Sequence, residues 1–136
     1  MSTHHLPIRI YYEDTDFSGL VYHASYLRFF ERGRTELLRD AGLHHKALME
    51  APDPRVFAVH KMEITFHQPA RMDDLLTVET RLTALKGARL VMTQRLLRDQ
   101  DIMVSATVHV AVMDTAGRPK RLDGDLFATL HDRLSP

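Results

Sequence analysis

The sequence contains no cysteine in its 136 residues. That absence excludes disulfide bonds, metal sites built from thiolates and a cysteine nucleophile, and it is compatible with a reducing compartment. The motifs G-x-S-x-G, G-x-G-x-x-G and G-x-x-x-x-G-K-[ST] are also missing. The sequence therefore gives no support for a serine hydrolase, a dinucleotide-binding protein or a P-loop nucleotidase.

An excess of charge of either sign is missing as well. Lys and Arg together number 18, Asp and Glu also number 18, and no long run of one sign occurs. Nucleic acid is therefore not expected as a partner, because binding to phosphate backbones requires a basic surface. An anionic ligand would have to be bound by local basic residues such as Lys86 and Arg89.

Long hydrophobic runs are absent too. No apolar stretch approaches the ~18 residues needed to span a bilayer, and residues 1–7 lack the basic and apolar regions of a secretory signal. We therefore expect a cytoplasmic protein without a transmembrane segment. The length, with 44% hydrophobic and 26% charged residues, predicts one folded domain over residues 1–136.

The nine histidines do not form a recognisable metal site. The adjacent pairs at 4–5 and 44–45 point in different directions on a helix or strand. His60, His67 and His109 lie in strand-like patterns without H-E-x-x-H or a similar ligand spacing, and from the residues alone we interpret them as structural. We expect no metal.

Hydrophobic periodicity predicts one long helix early in the chain. Apolar residues recur at three- and four-residue spacings over residues 25–41, with Ser25 as a candidate N-cap and Gly42 as a candidate C′ residue. Gly33 in mid-helix costs about 0.5–1 kcal/mol relative to alanine. It therefore predicts that another backbone packs closely against the helix, as in a sheet wrapped around it.

Alternating patterns predict the strands. A short strand is expected at residues 8–12, and four longer ones at 56–66, 76–85, 90–97 and 102–113. Turn sequences at 86–88 and 99–101 favour antiparallel pairing. A helical turn is expected at 44–50, and a short last helix from Asp123 to Leu130. The fold class is α+β, with an antiparallel sheet of about five strands and edges that dimerisation could cover.

The segment between the first strand and the long helix concentrates the groups able to do chemistry. A helix N-terminus presents backbone N–H groups without intrahelical partners, and these stabilise an oxygen that becomes negative. If that oxygen belongs to a bound carbonyl group, Asp16 is close enough in sequence to reach the carbonyl carbon or a water beside it. Gly19 permits a sharp turn. Acidic residues before a helix also occur simply because they favour its dipole, and His23 near the helix start has a structural reading too.

These residues resemble a known family. Residues 12–27, YEDTDFSGLVYHASYL, and 30–36, FERGRTE, look like the signature of the 4-hydroxybenzoyl-CoA thioesterase family of hotdog proteins, in particular its YbgC-type, Tol–Pal-associated branch. The segments VHKM at 59–62, PARMDD at 69–74 and TQR at 93–95 are similar to the same branch. The resemblance covers residues 8–113. Phe17 departs from it where many relatives carry a small residue or proline, which leaves acyl-chain length open.

The resemblance implies a hotdog fold, a homodimer or homotetramer with active sites between subunits, and hydrolysis of an acyl-CoA thioester without a metal or redox cofactor. The catalytic residues it implies are Asp16, as nucleophile or general base, with Tyr12 and His23. The backbone N–H of His23 would polarise the carbonyl. The implied CoA-binding residues are Val59, His60 and Lys61 beside the pantetheine arm and, at the phosphates, Lys86 and Arg89.

Short- to medium-chain acyl-CoA is the substrate class that the resemblance favours. Two alternatives remain open at this point. One is a non-catalytic hotdog module that binds acyl-CoA or acyl carrier protein within a membrane-linked complex. The other is a hotdog dehydratase, which would release water from a hydroxyacyl thioester instead of a thiol.

Overall fold

A computed structural model of the chain describes residues 2–135. The elements, in chain order, are β1 (Thr3–Arg9), a 3-10 turn (Tyr12–Asp14), α1 (His23–Asp40), α2 (His45–Glu50), β2 (Val56–Phe66), β3 (Leu75–Lys86), β4 (Arg89–Arg98), β5 (Asp101–Met113) and α3 (Gly124–His131).

The five strands form one antiparallel sheet in the order β1-β3-β4-β5-β2. The prediction of an α+β fold with about five strands is confirmed. β1 and β2 are the edges of the sheet, and β2 is the longer of the two. Its register with β5 shifts between Val59 and Lys61, so that His60 forms a bulge.

Helix α1 packs on one face of the sheet and forms the core with it. Its buried face includes Phe29, Phe30 and Leu37, as the helical spacing requires. Alternate residues of the strands point toward the helix, which explains why burial along β4 and β5 has a period of two. The largest buried side chains of the strands are Leu76, Leu82, Leu90, Met92, Leu96 and Met103.

Gly33 lies at a close contact between α1 and the sheet. A Cβ atom there would lie 2.5 Å from Val78 Cγ1 and 2.8 Å from Thr80 Oγ1. The predicted close approach is present, but the contacting atoms are side chains of the sheet instead of backbone. A buried polar network lies beside it: Gln94 Nε2 donates to the Phe30 carbonyl at 2.8 Å, and Arg34 donates to Gln94 Oε1 at 3.0 Å.

Two element boundaries differ from the sequence prediction. The first strand is Thr3–Arg9 instead of residues 8–12, because the chain turns after Ile10. In that turn Asp14 accepts a hydrogen bond from the Tyr11 amide at 2.8 Å. Helix α1 begins at His23 instead of after Ser25, whose hydroxyl donates to the Asp14 carbonyl at 3.2 Å.

The ends of the other elements follow the prediction more closely. α1 ends before Gly42, which has a φ of +88° and so serves as the left-handed C′ residue. Strand β2 has the predicted bounds. β3 and β4 are each one residue longer than predicted at both ends, and β5 is one residue longer at its start. Asp123 occupies the N-cap position of α3, although its carboxylate accepts a hydrogen bond from Arg55 instead of capping the helix.

Two further findings apply to residues 2–135 alone. No helix in that range combines the length and the apolar character needed to cross a lipid bilayer. No three His, Asp or Glu side chains in it come together in a way that could hold a metal ion.

Candidate active site

The loop from Thr15 to Val21, between the 3-10 turn and α1, is fixed by backbone hydrogen bonds. Thr15 and Val21 form an antiparallel bridge, and the Asp16 amide donates to the Leu20 carbonyl at 2.8 Å. Gly19 has a φ of +81°, and its carbonyl accepts a hydrogen bond at 3.1 Å from the segment before β3. The position of Asp16 is thereby set from both sides of the turn.

Asp16 lies at the wall of a cavity of about 400 Å³ between this loop, the start of α1 and the chain after β2. The lining residues are Asp16, Leu20, Val21, Tyr22, His23, Tyr26, Phe66, His67, Gln68 and Pro69. We call this cavity the Asp16 cleft. It brings Asp16 and His23 of the predicted catalytic set together.

Ser18 donates two hydrogen bonds to one oxygen of the Asp16 carboxylate. Its backbone N–H lies 2.8 Å from Asp16 Oδ1, and its hydroxyl donates to the same atom. These bonds, the hydroxyl first, lower the pKa of Asp16 below its ordinary value. Asp16 is therefore held as an anion beside the cleft.

The start of α1 borders the same cleft and has an amide that is not engaged by neighbouring groups within residues 2–135. The Tyr22 amide donates to the Asp14 carbonyl at 2.9 Å, and the Ser25 amide to the Tyr22 carbonyl at 2.8 Å. The His23 amide donates to no oxygen in the part of the chain that the structure describes. An oxyanion near His23 would therefore meet an unused N–H and the positive end of the helix dipole.

The side chains of Tyr12 and His23 occupy different environments. His23 is exposed, and its ring centroid lies 4.5 Å from that of Tyr22. Tyr12 belongs to the 3-10 turn, is 80% exposed and does not line the Asp16 cleft. Within this chain, the structure thus brings two of the three predicted catalytic residues together.

The cleft wall also contains residues that sequence reasoning did not select. Tyr26 is buried, and its hydroxyl accepts a hydrogen bond from the Ala70 amide at 3.0 Å; burial raises the pKa of Tyr26. Phe66 lies 5.7 Å from the Tyr26 ring, and His67 Nε2 is 2.8 Å from Ser105 Oγ. The sequence feature that could have pointed to these residues is the end of the alternating pattern at Phe66, where the chain leaves β2.

The predicted CoA-binding residues cluster elsewhere on the sheet. Arg89 Nη1 lies 2.7 Å from His60 Nε2, at the bulge of β2, and Lys86 pairs with Arg89 across the β3–β4 hairpin. Lys61 Nζ lies 3.5 Å from the carboxylate of its neighbour Glu63. Val59 is 45% exposed and lines a second, smaller cavity under α1.

The two predicted groups of residues lie toward opposite ends of β2. Val59 is the first residue in sequence of the predicted CoA-binding group, and Phe66 lines the Asp16 cleft. At about 3.3 Å per residue, they are separated by roughly 23 Å along the strand. Within one chain, the Asp16 cleft and the predicted CoA-binding residues are therefore far apart.

Comparison with known proteins identifies the family. The sequence model of the thioesterase-like superfamily matches residues 11–130. The chain belongs to this family. It is 44% identical over 124 residues to the acyl-CoA thioester hydrolase YbgC of Escherichia coli O6:H1, covering 90% of this chain and 91% of that protein.

Two further relatives agree. The acyl-CoA thioesterase YbgC of Haemophilus influenzae is 46% identical over 126 residues, with 92% of each chain covered. The crystal structure of a probable thioesterase from Bartonella henselae superimposes with a TM-score of 0.86 at 46% identity, covering 89% of this chain and 99% of that one. The predictions of a hotdog thioesterase fold and of the YbgC-type family are confirmed.

Proposed function

We propose that this protein hydrolyses acyl-CoA thioesters of short to medium chain length to a free acid and CoA. The observation that carries the proposal is that Asp16 and the N-terminus of α1 line one cleft. Its YbgC relatives are named as acyl-CoA thioesterases and cover nearly the whole chain. The reaction needs an anionic oxygen near the acyl carbon and a donor for the carbonyl oxygen, and the cleft offers both.

Two routes fit a carboxylate in this position. As a nucleophile, the carboxylate of Asp16 attacks the acyl carbon, the C–S bond breaks, and the CoA thiolate takes up a proton. Water then hydrolyses the resulting mixed anhydride and returns Asp16. As a general base, Asp16 instead takes a proton from water while the water oxygen attacks the same carbon. Both routes place negative charge on the thioester oxygen.

The His23 amide is the proposed donor to that oxygen. Removal of one such donor in other enzymes costs about 2.7–4 kcal/mol of transition-state stabilisation. Because the donor is a backbone group, His23→Ala should reduce turnover less than a change at Asp16. Tyr12 stays a predicted catalytic residue, and its exposed position suits a contribution to a neighbouring subunit's site.

A homodimer is the proposed assembly. β2 is a long edge strand with exposed residues, and unpaired edges of that kind invite pairing with another strand. Two copies joined along β2 would bring one protomer's Asp16 cleft toward the other's basic group. In that arrangement Val59, His60 and Lys61 would flank the pantetheine arm, with Lys86 and Arg89 at the phosphates. Acyl carrier protein is an alternative carrier of the same thioester.

Free-thiol release from a panel of acyl-CoAs tests the proposal. Wild type should release thiol, with Asp16→Asn lowering kcat by several orders of magnitude while the protein stays folded. Near-normal turnover of Asp16→Asn would remove Asp16 from the mechanism. Binding of acyl-CoA without hydrolysis by wild type would favour the non-catalytic module, and loss of water from a hydroxyacyl-CoA without thiol release would favour a dehydratase.

A further inference from the structure

The Ser18 side chain is the closest polar neighbour of the proposed reacting group. Both hydrogen bonds that Asp16 receives from it end on Oδ1, one from the backbone N–H at 2.8 Å and one from the hydroxyl. A carboxylate oxygen has two lone pairs, so Ser18 occupies the accepting positions of Oδ1. Oδ2 is left for the substrate or for water.

The backbone of the loop does not depend on the Ser18 hydroxyl. The bridge between Thr15 and Val21 and the bond from the Asp16 amide to the Leu20 carbonyl hold the turn through main-chain atoms. Ser18 itself is exposed. The hydroxyl therefore acts on the orientation of the Asp16 carboxylate and not on the course of the chain.

We propose that Ser18 is a positioning residue, which holds Oδ1 of Asp16 so that Oδ2 faces the acyl carbon or the attacking water in the Asp16 cleft. This inference rests on the proposed function of Asp16 and deepens it. A fixed carboxylate begins the reaction near its productive geometry, and misplacement by about 1 Å can cost on the order of 100-fold in rate.

The same contact sets the electrostatics of Asp16. Hydrogen bonds to the ionised form favour that form, so the Ser18 hydroxyl keeps the pKa of Asp16 low. Loss of the hydroxyl should raise this pKa and move the acid limb of the pH–rate profile to higher pH. A hydroxyl with only a structural role elsewhere in the fold would not change either quantity.

The experiment compares wild type with Ser18→Ala and Ser18→Thr, since threonine keeps the hydroxyl. The carboxyl carbon of Asp16 is followed by NMR during a pH titration, with Asp16→Asn used to assign its signal. Turnover of one acyl-CoA is measured over the same pH range. Thr115→Ala, which removes a hydroxyl from an exposed turn, is the matched control.

The expected result is a raised pKa of Asp16 in Ser18→Ala, a kcat lower by about 10- to 100-fold with little change in KM, and recovery in Ser18→Thr. An unchanged pKa of Asp16 in Ser18→Ala would overturn the contact. A raised pKa with unchanged kcat would overturn its role in positioning. Near-normal turnover of Asp16→Asn would instead overturn the proposed role of Asp16, whatever the NMR titration gives, and the positioning role with it.

Discussion

A methyl group on Gly33 of α1 would lie 2.5 Å from Cγ1 of Val78 in β3, closer than carbon atoms approach in folded proteins. Val78 is fully buried and β-branched, so it has little freedom to move aside. This contact sets how deeply the helix can pack on the sheet. It also explains why a residue with low helix propensity is placed in the middle of α1.

Gly33→Ala should lower the free energy of unfolding. Overpacking costs typically about 1–3 kcal/mol and exceeds the gain of up to about 1 kcal/mol in helix propensity. Denaturant unfolding followed by circular dichroism measures the change. The double variant Gly33→Ala with Val78→Ala provides the control, because room made at Val78 should give a favourable coupling energy between the two changes. If the destabilisation of the double variant equals the sum of those of the two single variants, the contact does not limit packing.

The Glu79 carboxylate should make stability depend on pH in the acid range. Arg95 donates to both of its oxygens, at 2.7 and 3.0 Å, and these bonds lower the pKa of Glu79 below its ordinary value. A lowered pKa in the folded state contributes stability above the unfolded pKa of about 4.3, and this is lost as pH falls through the folded value.

Glu79→Gln should therefore destabilise the protein at neutral pH by about 1 kcal/mol and flatten the fall in stability on acidification. Unfolding midpoints measured between neutral pH and the acid range give the comparison. Glu63→Gln is the matched control, since Glu63 is exposed and its carboxylate lies 3.5 Å from the ammonium of Lys61, which is also exposed. A pH dependence equal to that of wild type would contradict the assignment.

The basic pair Lys86 and Arg89 should act on binding of CoA and not on chemistry. Both lie at the β3–β4 hairpin, away from the Asp16 cleft. Their replacement by glutamine should raise KM by about 3- to 10-fold per residue, corresponding to about 0.6–1.4 kcal/mol for each ion contact with the phosphates, while kcat changes little. The increase should shrink at high salt.

Two controls make this prediction specific. Lys46 is also an exposed positive charge, but it lies on α2. Lys46→Gln should therefore leave KM unchanged. An acyl-pantetheine substrate lacks the nucleotide phosphates, so it should not distinguish wild type from the Lys86 and Arg89 variants. Equal losses with this shorter substrate would assign the two residues to a different role.

Periodicity predicted most of the fold because burial in this chain follows it closely. β4 and β5 alternate between α1 and the outer face, and α1 has one apolar face, so local patterns were sufficient for these elements, whereas burial along β2 is interrupted by the bulge at His60. The turn at Tyr11 was missed because it depends on a hydrogen bond that the Tyr11 amide donates to the Asp14 carboxylate, which the alternation of residues 8–12 does not reveal. The start of α1 was placed late because no side chain caps the helix.

The candidate site was only partly accessible to the same reasoning. Asp16 could be selected because it stands close to a helix start in the sequence, and His23 was added by the family resemblance. Phe66 and His67 reach the cleft through folding of β2 against β5, a contact between residues far apart in sequence. Ser18 was quoted within the motif but not assigned a role, since only the coordinates show both of its donors directed to one oxygen.

The distance along β2 between the Asp16 cleft and His60, which Arg89 contacts, has a genetic consequence. Suppose that each reaction centre combines residues of two protomers. A homodimer of the Asp16→Asn chain then has two altered centres. A homodimer of the chain with Arg89→Gln and Lys86→Gln also has two altered centres. Produced together in one cell, the two chains would also form heterodimers. In a heterodimer, one centre contains all the substituted residues and the other contains none of them. Co-expression and purification through two different tags should then recover more activity at subsaturating substrate than either parent shows, up to about half of wild type per heterodimer, because the raised KM of the Arg89 and Lys86 parent limits its rate there.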